Sequence, residues 1–411
     1  MTSLQTCRFC ASPLHKTFID LGVSPLSNTY LTREDLHKKE IFYPLHAQIC
    51  QHCFLVQLPE FESPEHIFND YAYFSSYSDS WLQHAAWYTD LMMKRFSMDS
   101  NWQVIEVASN DGYLLQYFKA KNIPVLGIEP AANVAKVAND KGVPTLSLFF
   151  GKETALQLQR EGKQADLLIG NNVLAHVPNL NDFVSGLKIL LAPHGVLTME
   201  FPHLLSLIQY NQFDTIYHEH FSYFSLLTAQ QIFSKHQLCV FDVEKISTHG
   251  GSLRVFVRHQ EDDKKKITDR VTDVLAEEKQ FGLDCLETYR TFSTAIQQVK
   301  YELIKFVMDC KKKNKKIVGY GAPAKGNTLL NYCRIHVDLL PFTVGRSPYK
   351  QNRYLPGTRI PIFHPDKIID EKPDYLLLLP WNLKDEIMEQ MTYIREWGGK
   401  FVVPIPKLQI M

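Results

Sequence analysis

Nine residues near the middle of the chain, Ile216-Tyr217-His218-Glu219-His220-Phe221-Ser222-Tyr223-Phe224, concentrate groups that can move protons. Two imidazoles, a carboxylate and two phenols fall between Tyr217 and Tyr223, flanked by apolar side chains that mark a buried setting. Polar groups left unpaired beside a core are costly, so such a cluster needs a reason to be there. One reading is an acid/base set that removes and returns a substrate proton. A hydrogen-bonded structural turn accounts for the same residues equally well. His218 and His220 as metal ligands is a weaker third reading, because no HExxH spacing follows and no matching second cluster is evident.

Four of the eight cysteines form a sharper pattern, Cys7-x-x-Cys10 and Cys50-x-x-Cys53. Each pair can place two thiolates on one tetrahedral ion, and two pairs close a four-sulfur site with no open position. One structural zinc ion is therefore expected, with the long intervening segment folding as a small lobe. A redox pair fits less well, since redox CxxC motifs sit near a βαβ pattern and none surrounds these. Cys239, Cys285, Cys310 and Cys333 are scattered and read as core packing. Beyond the second knuckle, Asp70 to Trp81 is rich in aromatic and hydroxyl groups. Tyrosines there, Tyr71 and Tyr73 among them, could line a polar ligand or equally pack at a boundary, and Ser78 or Ser80 could cap the helix that follows.

The 411 residues are 45% hydrophobic and 21% charged with zero net charge, ordinary values for a soluble protein of two or three domains. Zero net charge gives neither nucleic acid nor an anionic membrane an electrostatic handle. No apolar run approaches the roughly 18 residues needed to span a bilayer, and no basic-then-apolar leader opens the chain. A cytoplasmic monomer with no nucleic-acid or membrane partner is expected.

From Gln103 the elements that must position these groups alternate. Val104–Ala108 reads as a strand, then Ser109-Asn110-Asp111-Gly112 and an apolar helix; Val125–Ile128 ends in Glu129 before an Ala-rich helix. Leu146–Phe150, Ala165–Gly170 and Val196–Phe201 read as three further strands, the second running into Asn171, Asn172 and His176. Repeated βα order implies a doubly wound parallel sheet with ligands at the carboxyl ends of its strands. A glycine-bearing turn and a second acid at the next strand end can hold a nucleoside, but the turn is not GxGxxG, so a cofactor lacking a pyrophosphate fits better. Here the sequence resembles the class I S-adenosylmethionine-dependent methyltransferases. Their first motif is represented by Glu106 to Gly112, with Ala108 where glycine is more usual, and their ribose-binding acid by Glu129. The resemblance implies cofactor contacts from Glu106, Ala108, Asn110, Gly112, Glu129, Asn171 and Asn172. Asp242–Ser247 and Leu253–Val257 then look like the antiparallel edge of that sheet, joined by a turn in which His249 could meet substrate.

Helical periodicity fills about 262–316 and reads as connecting helices. Ile317-Val318-Gly319-Tyr320-Gly321-Ala322-Pro323-Ala324-Lys325-Gly326-Asn327 forms strand, glycine turn and helix start, a place to hold a phosphate or nucleotide, though no GK[ST] occurs. With Arg346, Lys350 and Arg353 near Tyr354-Leu355-Pro356-Gly357-Thr358, it suggests a second, smaller Rossmann-like domain offering basic groups to an anion.

Taken together, the two knuckles, Tyr71 to Ser78, Glu106 to Gly112, Tyr217 to His220, His249-Gly250-Gly251-Ser252, Gly319 to Gly326 and Tyr354 to Thr358 closely resemble one family over nearly the full length. It is the sugar C-3 methyltransferases acting on nucleoside-diphosphate 4-keto-6-deoxy sugars. Gly345 departs from the acid expected before Arg346. The resemblance implies three domains: a zinc-binding domain (1–70), a methyltransferase domain (71–298) and a C-terminal nucleotide-sugar-binding domain (299–411). It implies transfer of a methyl group from S-adenosylmethionine to C3 of such a sugar, with dTDP the expected nucleotide, through an enolate. His220 would be the base, with Glu219, Tyr217, His176 and Tyr71 completing the catalytic set. Tyr73, Ser75, His249, Tyr320, Gly321, Ala322, Lys325, Asn327, Arg346, Lys350 and Arg353 would face the substrate. A nicotinamide-dependent nucleotide-sugar oxidoreductase or epimerase, and a catalytically inactive zinc-knuckle binding protein, are the alternatives carried.

Overall fold

The computed structural model describes residues 6–63 and 74–411. Among these residues the strands assemble into three sheets. The central one has seven strands: β4 (Val104–Val107), β5 (Val125–Ile128), β6 (Thr145–Leu146), β7 (Ala165–Asn171), β8 (Leu191–Pro202), β10 (Leu238–Ile246) and β11 (Ser252–His259). Their spatial order is β10-β11-β8-β7-β4-β5-β6. β4 pairs in parallel with β5 and β7, and β8 with β7, whereas β11 runs antiparallel to both β8 and β10. The chain reverses direction of travel across the sheet beside β4, the switch point where α/β sheets bind ligands. All four residues of β4 are buried, the continuous apolar reading of a strand covered on both faces. The expected third strand, 146–150, shrinks to Thr145–Leu146, and Leu148 and Phe149 beyond it are exposed.

The C-terminal sheet contains β12 (Ile317–Tyr320), β13 (Thr343–Val344), β14 (Ile362–Phe363), β15 (Tyr375–Leu378), β16 (Lys400–Val403) and β17 (Gln409–Ile410). Its order, β14-β13-β12-β15-β16-β17, is parallel except for the last pair, matching the expected Rossmann-like arrangement. A 27-residue helix, Leu286–Lys312, leads into it. Tyr289, Phe292, Ile296, Val299, Leu303, Val307 and Cys310 are its buried residues, spaced three or four apart so that one stripe faces the core. The expected junction at 298–299 falls inside this unbroken helix.

The N-terminal sheet joins β1 (Lys16–Ser24), β2 (Tyr43–Ile49) and β3 (Val56–Gln57) to β9 (Ser222–Tyr223), which directly follows the His220 segment. Val56 pairs with Tyr223 and Gln57 with Ser222, and Leu58 N–H donates to the Phe221 carbonyl. Phe18, Leu45 and Val56 of this sheet share one apolar core with Phe292 of the long helix and Val318 of β12. The N-terminal lobe is thus packed into the molecule rather than appended to it.

Candidate active site

The cofactor side grows from the turn after β4. Ala108, Asn110 and Gly112 all adopt left-handed backbone (φ 58°, 49° and 75°), which bends the chain away from the strand end. The left-handed backbone favours glycine at position 112, and a Cβ there would lie a tight 3.1 Å from Val143. Glu129, at the end of β5, accepts from the Asn110 N–H (3.0 Å) and the Ala131 N–H (2.9 Å). Burial pushes its carboxyl up to about 7 against those two donors. Ser75 N–H donates to Asn110 Oδ1 at 2.8 Å and brings the 74–78 segment over the turn. Asn171 ends β7 with neither polar side-chain atom partnered among the described residues, and Asn172 follows in left-handed backbone (φ 55°). Glu106 is buried on β4, and burial raises its carboxyl well above the ordinary range.

The second side is the Tyr217–His220 turn. His220 Nδ1 lies 2.8 Å from the Thr215 carbonyl, which only accepts, so Nδ1 carries the hydrogen and the Nε2 lone pair is exposed to a donor. That donor is the Tyr217 hydroxyl at 2.9 Å. Burial, reinforced by nearby His176, His249 and Lys325, holds the His220 imidazole well below its ordinary value, hence neutral. The His176 ring stands edge-on to His220 at 4.7 Å and burial lowers it to about 4. Glu219 is buried just behind, both carboxylate oxygens 2.8 Å from Asn28 Nδ2. His218 faces the other way, its Nε2 3.2 Å from the Pro44 carbonyl in the N-terminal lobe. It does not converge with His220 on a metal.

Between these two sides and the C-terminal lobe lies a cavity of about 1530 Å³. Asn110, Glu129, Asn171 and Asn172 line one wall, His176, Tyr217 and His220 the middle, and Tyr320, Gly321, Ala322, Lys325, Arg346 and Lys350 the far wall. Ala108, Ser75 and His249 also reach it. Gly321 is left-handed (φ 89°), and a Cβ there would strike Pro380 at 2.5 Å. His249 sits in left-handed backbone (φ 56°), its Nε2 unpartnered among the described residues. Lys325 donates to Asn382 Oδ1 at 2.9 Å and lies over the Trp381 ring; Lys350 donates to the Ala322 carbonyl at 3.0 Å.

Two expected substrate contacts, Asn327 and Arg353, do not line the cavity, and neither do the expected cofactor contacts Glu106 and Gly112. Asn327 is buried and donates to the Ser27 carbonyl, a helix residue tying two lobes together rather than facing the cavity. Arg353 is exposed outside the cavity wall. Tyr71 and Tyr73 lie outside the described residues. The sequence reading missed Asn28, on the far N-terminal lobe, and the group around Glu200. There His84 (3.2 Å) and Arg254 Nε (2.7 Å) converge on the fully buried Glu200 carboxylate. Burial alone would raise that carboxyl; His84 and Arg254 outweigh it and hold it below the ordinary range. Trp81 stacks on His84 at 4.9 Å and lies 5.3 Å from His249, completing an aromatic wall. Ser78, not Ser80, caps the helix that carries Trp81.

The four knuckle sulfurs lie within 4.8 Å of one another, with Cys7–Cys53 at 3.6 Å and Cys10–Cys50 at 3.5 Å. Zinc–thiolate bonds of about 2.3 Å in a tetrahedron place sulfurs about 3.8 Å apart, so the set fits one zinc ion. Gln57 Nε2, 3.2 Å from Cys7 Sγ, and His52 N–H, 3.4 Å from Cys50 Sγ, supply outer donors to the thiolates.

The strand order of the central sheet and the glycine-bearing turn at its switch point define an α/β methyltransferase. Sequence models of protein families agree: residues 79–242 match one described as "Methyltransferase domain", 247–406 one described as "C-methyltransferase C-terminal domain", and 7–68 one described as "Putative zinc binding domain". The chain is 36% identical to C-methyltransferase NovU of Streptomyces niveus over 408 residues, 99% of this chain and 97% of that one. It belongs to the C-methyltransferase family and is an S-adenosylmethionine-dependent C-methyltransferase. Solved structures similar to it include magnesium protoporphyrin IX methyltransferase of Synechocystis PCC 6803 (15% identity, TM-score 0.33, covering 43% of this chain and 79% of that one). PH0226 protein of Pyrococcus horikoshii OT3 is another (15%, TM-score 0.36, 48% and 99%). Among the described residues, no helix is long and apolar enough to cross a membrane.

Proposed function

We propose that the enzyme methylates C3 of a nucleoside-diphosphate 4-keto-6-deoxy sugar, most simply a dTDP sugar, on the way to a branched deoxysugar. The observation that carries this reading is the shared cavity: a neutral, oriented imidazole stands between a methyltransferase turn and a second glycine turn flanked by Lys325, Arg346 and Lys350. A single small acceptor would leave most of that volume unused, whereas a sugar joined to a nucleoside diphosphate spans it. We assign the zinc lobe to 1–70, the methyltransferase domain to 71–298 and the nucleotide-sugar lobe to 299–411, in a cytoplasmic monomer.

In this reading the C4 ketone acidifies the C3 proton, which passes to His220 Nε2. The Thr215 carbonyl keeps Nδ1 protonated, so only Nε2 can receive it. Tyr217, which donates to Nε2, turns its hydroxyl to the ketone oxygen as the lone pair is engaged, and His176 stands near enough to share the developing charge. A positioned base contributes roughly 10²–10⁴-fold and each oxyanion donor up to about 10²–10³-fold; both are needed, because an imidazole is far less basic than an enolate. S-adenosylmethionine, when bound, would supply an electrophilic methyl group to C3, the S–CH3 bond breaking as the new C–C bond forms and the neutral thioether S-adenosylhomocysteine leaving. Asn110, Glu129, Asn171 and Asn172 would hold it, the unpartnered Asn171 amide being the clearest vacancy for a polar ligand.

The test is methyl-labelled S-adenosylmethionine with a panel of nucleotide-linked sugars, with and without the 4-keto group, read by mass spectrometry. Label should enter a 4-keto-6-deoxy sugar, be absent from its 4-hydroxy analogue and be lost in His220→Ala. Cofactor binding with no label on any sugar would sink the reading.

A further inference from the structure

We infer that Asn28, carried by the N-terminal lobe, is a positioning residue of the active site that clamps the Glu219 carboxylate behind the Tyr217–His220 pair. The inference rests on the catalytic reading of Tyr217 and His220 given above. Asn28 lines the cavity and places one amide nitrogen 2.8 Å from each oxygen of Glu219. Its orientation is fixed by the carboxylate, whose ionised oxygens only accept and so face the amide nitrogen, while Asn28 Oδ1 lies 3.3 Å from the Tyr30 hydroxyl. The same hydroxyl lies 2.6 Å from the Ala322 carbonyl, anchoring the Asn28 loop to the glycine turn of the C-terminal lobe.

Glu219 is thereby the meeting point of three lobes. From the N-terminal lobe it faces Asn28 and Tyr30; from the C-terminal lobe, Lys350, whose ammonium sits over the Tyr30 ring at 4.6 Å. From its own domain His176 is tied to the Glu219 backbone. Burial raises the Glu219 carboxyl to about 7, and Asn28 and then Lys350 oppose that rise. The chemical consequence concerns charge. A proton arriving on His220 creates an imidazolium where Lys325 already contributes a cation. In a dry site such charges interact several times more strongly than in water, and an ionised Glu219 on the adjoining residue supplies the compensating charge. Asn28 favours that ionised form because an amide N–H can donate to a carboxylate but gains less from a carboxylic acid.

The experiment measures exchange of the substrate C3 hydrogen in deuterated water without methyl donor, alongside methyl transfer, from pH 5.5 to 9 (roughly the span around neutrality in which a carboxyl raised by burial titrates). Asn28→Ala should slow both by about 10- to 100-fold, the range for a hydrogen bond to a charged group, and move the acid limb of the profile to higher pH. Asn28→Asp, nearly isosteric, should move it further, since a second carboxylate would face Glu219. In a Glu219→Gln background, Asn28→Ala should add no further loss. Zinc content and S-adenosylhomocysteine binding report whether each variant is folded. Wild-type profiles in folded Asn28 variants, or an undiminished Asn28→Ala effect on top of Glu219→Gln, would overturn the inference while leaving the proposed reaction standing. No exchange with the wild-type enzyme would overturn the reaction itself, and this inference with it.

Discussion

The Thr215 carbonyl decides what His220 can do, because fixing the hydrogen on Nδ1 leaves one nitrogen available to a substrate proton. The sequence shows the residue types, since Tyr217, Glu219 and His220 are chain neighbours, but it leaves an acid/base set and a structural turn equally open, and Thr215 carries no signal in it. What the sequence could not give is the direction each side chain takes. His218 turns to Pro44, and Asn327 and Arg353 turn away from the cavity, although their turn chemistry looks the same on paper. Asn28 carried no signal, because its partner lies far along the chain. A pH prediction belongs at this scale. Folded Glu219 keeps its proton up to about pH 7, whereas the unfolded chain releases it near the ordinary value of 4.5. The group therefore favours the folded state fully below pH 4.5, and that contribution is lost as pH rises through 7. Glu219→Gln cannot ionise, so its melting temperature relative to wild type should climb between pH 5 and pH 8. The difference should be at most about 3 kcal/mol, and thermal melts at the two pH values check it.

At the scale of elements, the strands of the central sheet and β12 and β15 of the C-terminal one could be read from apolar runs, and the methyltransferase turn from Asn110, Gly112 and Glu129. β9 could not: two residues, Ser222 and Tyr223, have no period to detect, and their partners sit in another lobe. The long helix was visible as a stripe, but nothing in the stripe marked that it runs straight through the expected domain junction. Because β9 belongs to the sheet of the cysteine lobe, the metal site bears on the Tyr217–His220 turn although it lies outside the cavity. Cys50→Ser should lose the zinc ion and reduce methyl transfer at least about 100-fold, as the strand after His220 loses its partner. Binding of S-adenosylhomocysteine, held by the separate central sheet, should stay within a few-fold. Zinc analysis, calorimetry and the labelled-methyl assay measure the three quantities.

At the scale of the whole molecule, the cavity exists because two α/β sheets face each other with their ligand-binding turns. Trp381 Nε1 donates to Asp214 at 2.7 Å and Thr328 to the Ile216 carbonyl at 3.2 Å, so the C-terminal lobe is bonded directly to the segment leading into His220. At the rim, Arg346 meets Asp79 at 3.3 Å with both side chains more than half exposed. Such a pair is worth about 0–1 kcal/mol. Arg346→Ala should therefore shift the melting temperature by no more than about 1–2 °C while raising KM for a diphosphate substrate about tenfold. Steady-state kinetics at two salt concentrations would separate the effects, since the KM penalty should shrink as salt screens the anion.

The four-stranded sheet also sets a clock on biosynthesis. β3 emerges early, but β9, which covers its edge, follows only about 160 residues later. At roughly 5–20 residues per second, that is a wait of about 8–30 s with an unpaired strand edge on the nascent chain. The lobe can capture zinc at once, through cysteines that are all translated by Cys53, but cannot close its sheet until Ser222 and Tyr223 have left the ribosome. The cavity waits longer still, because Tyr320, Lys325 and Lys350 of its far wall are translated about 100 residues after β9. An N-terminal fragment ending before residue 222 should accordingly be prone to aggregate even when its metal is bound.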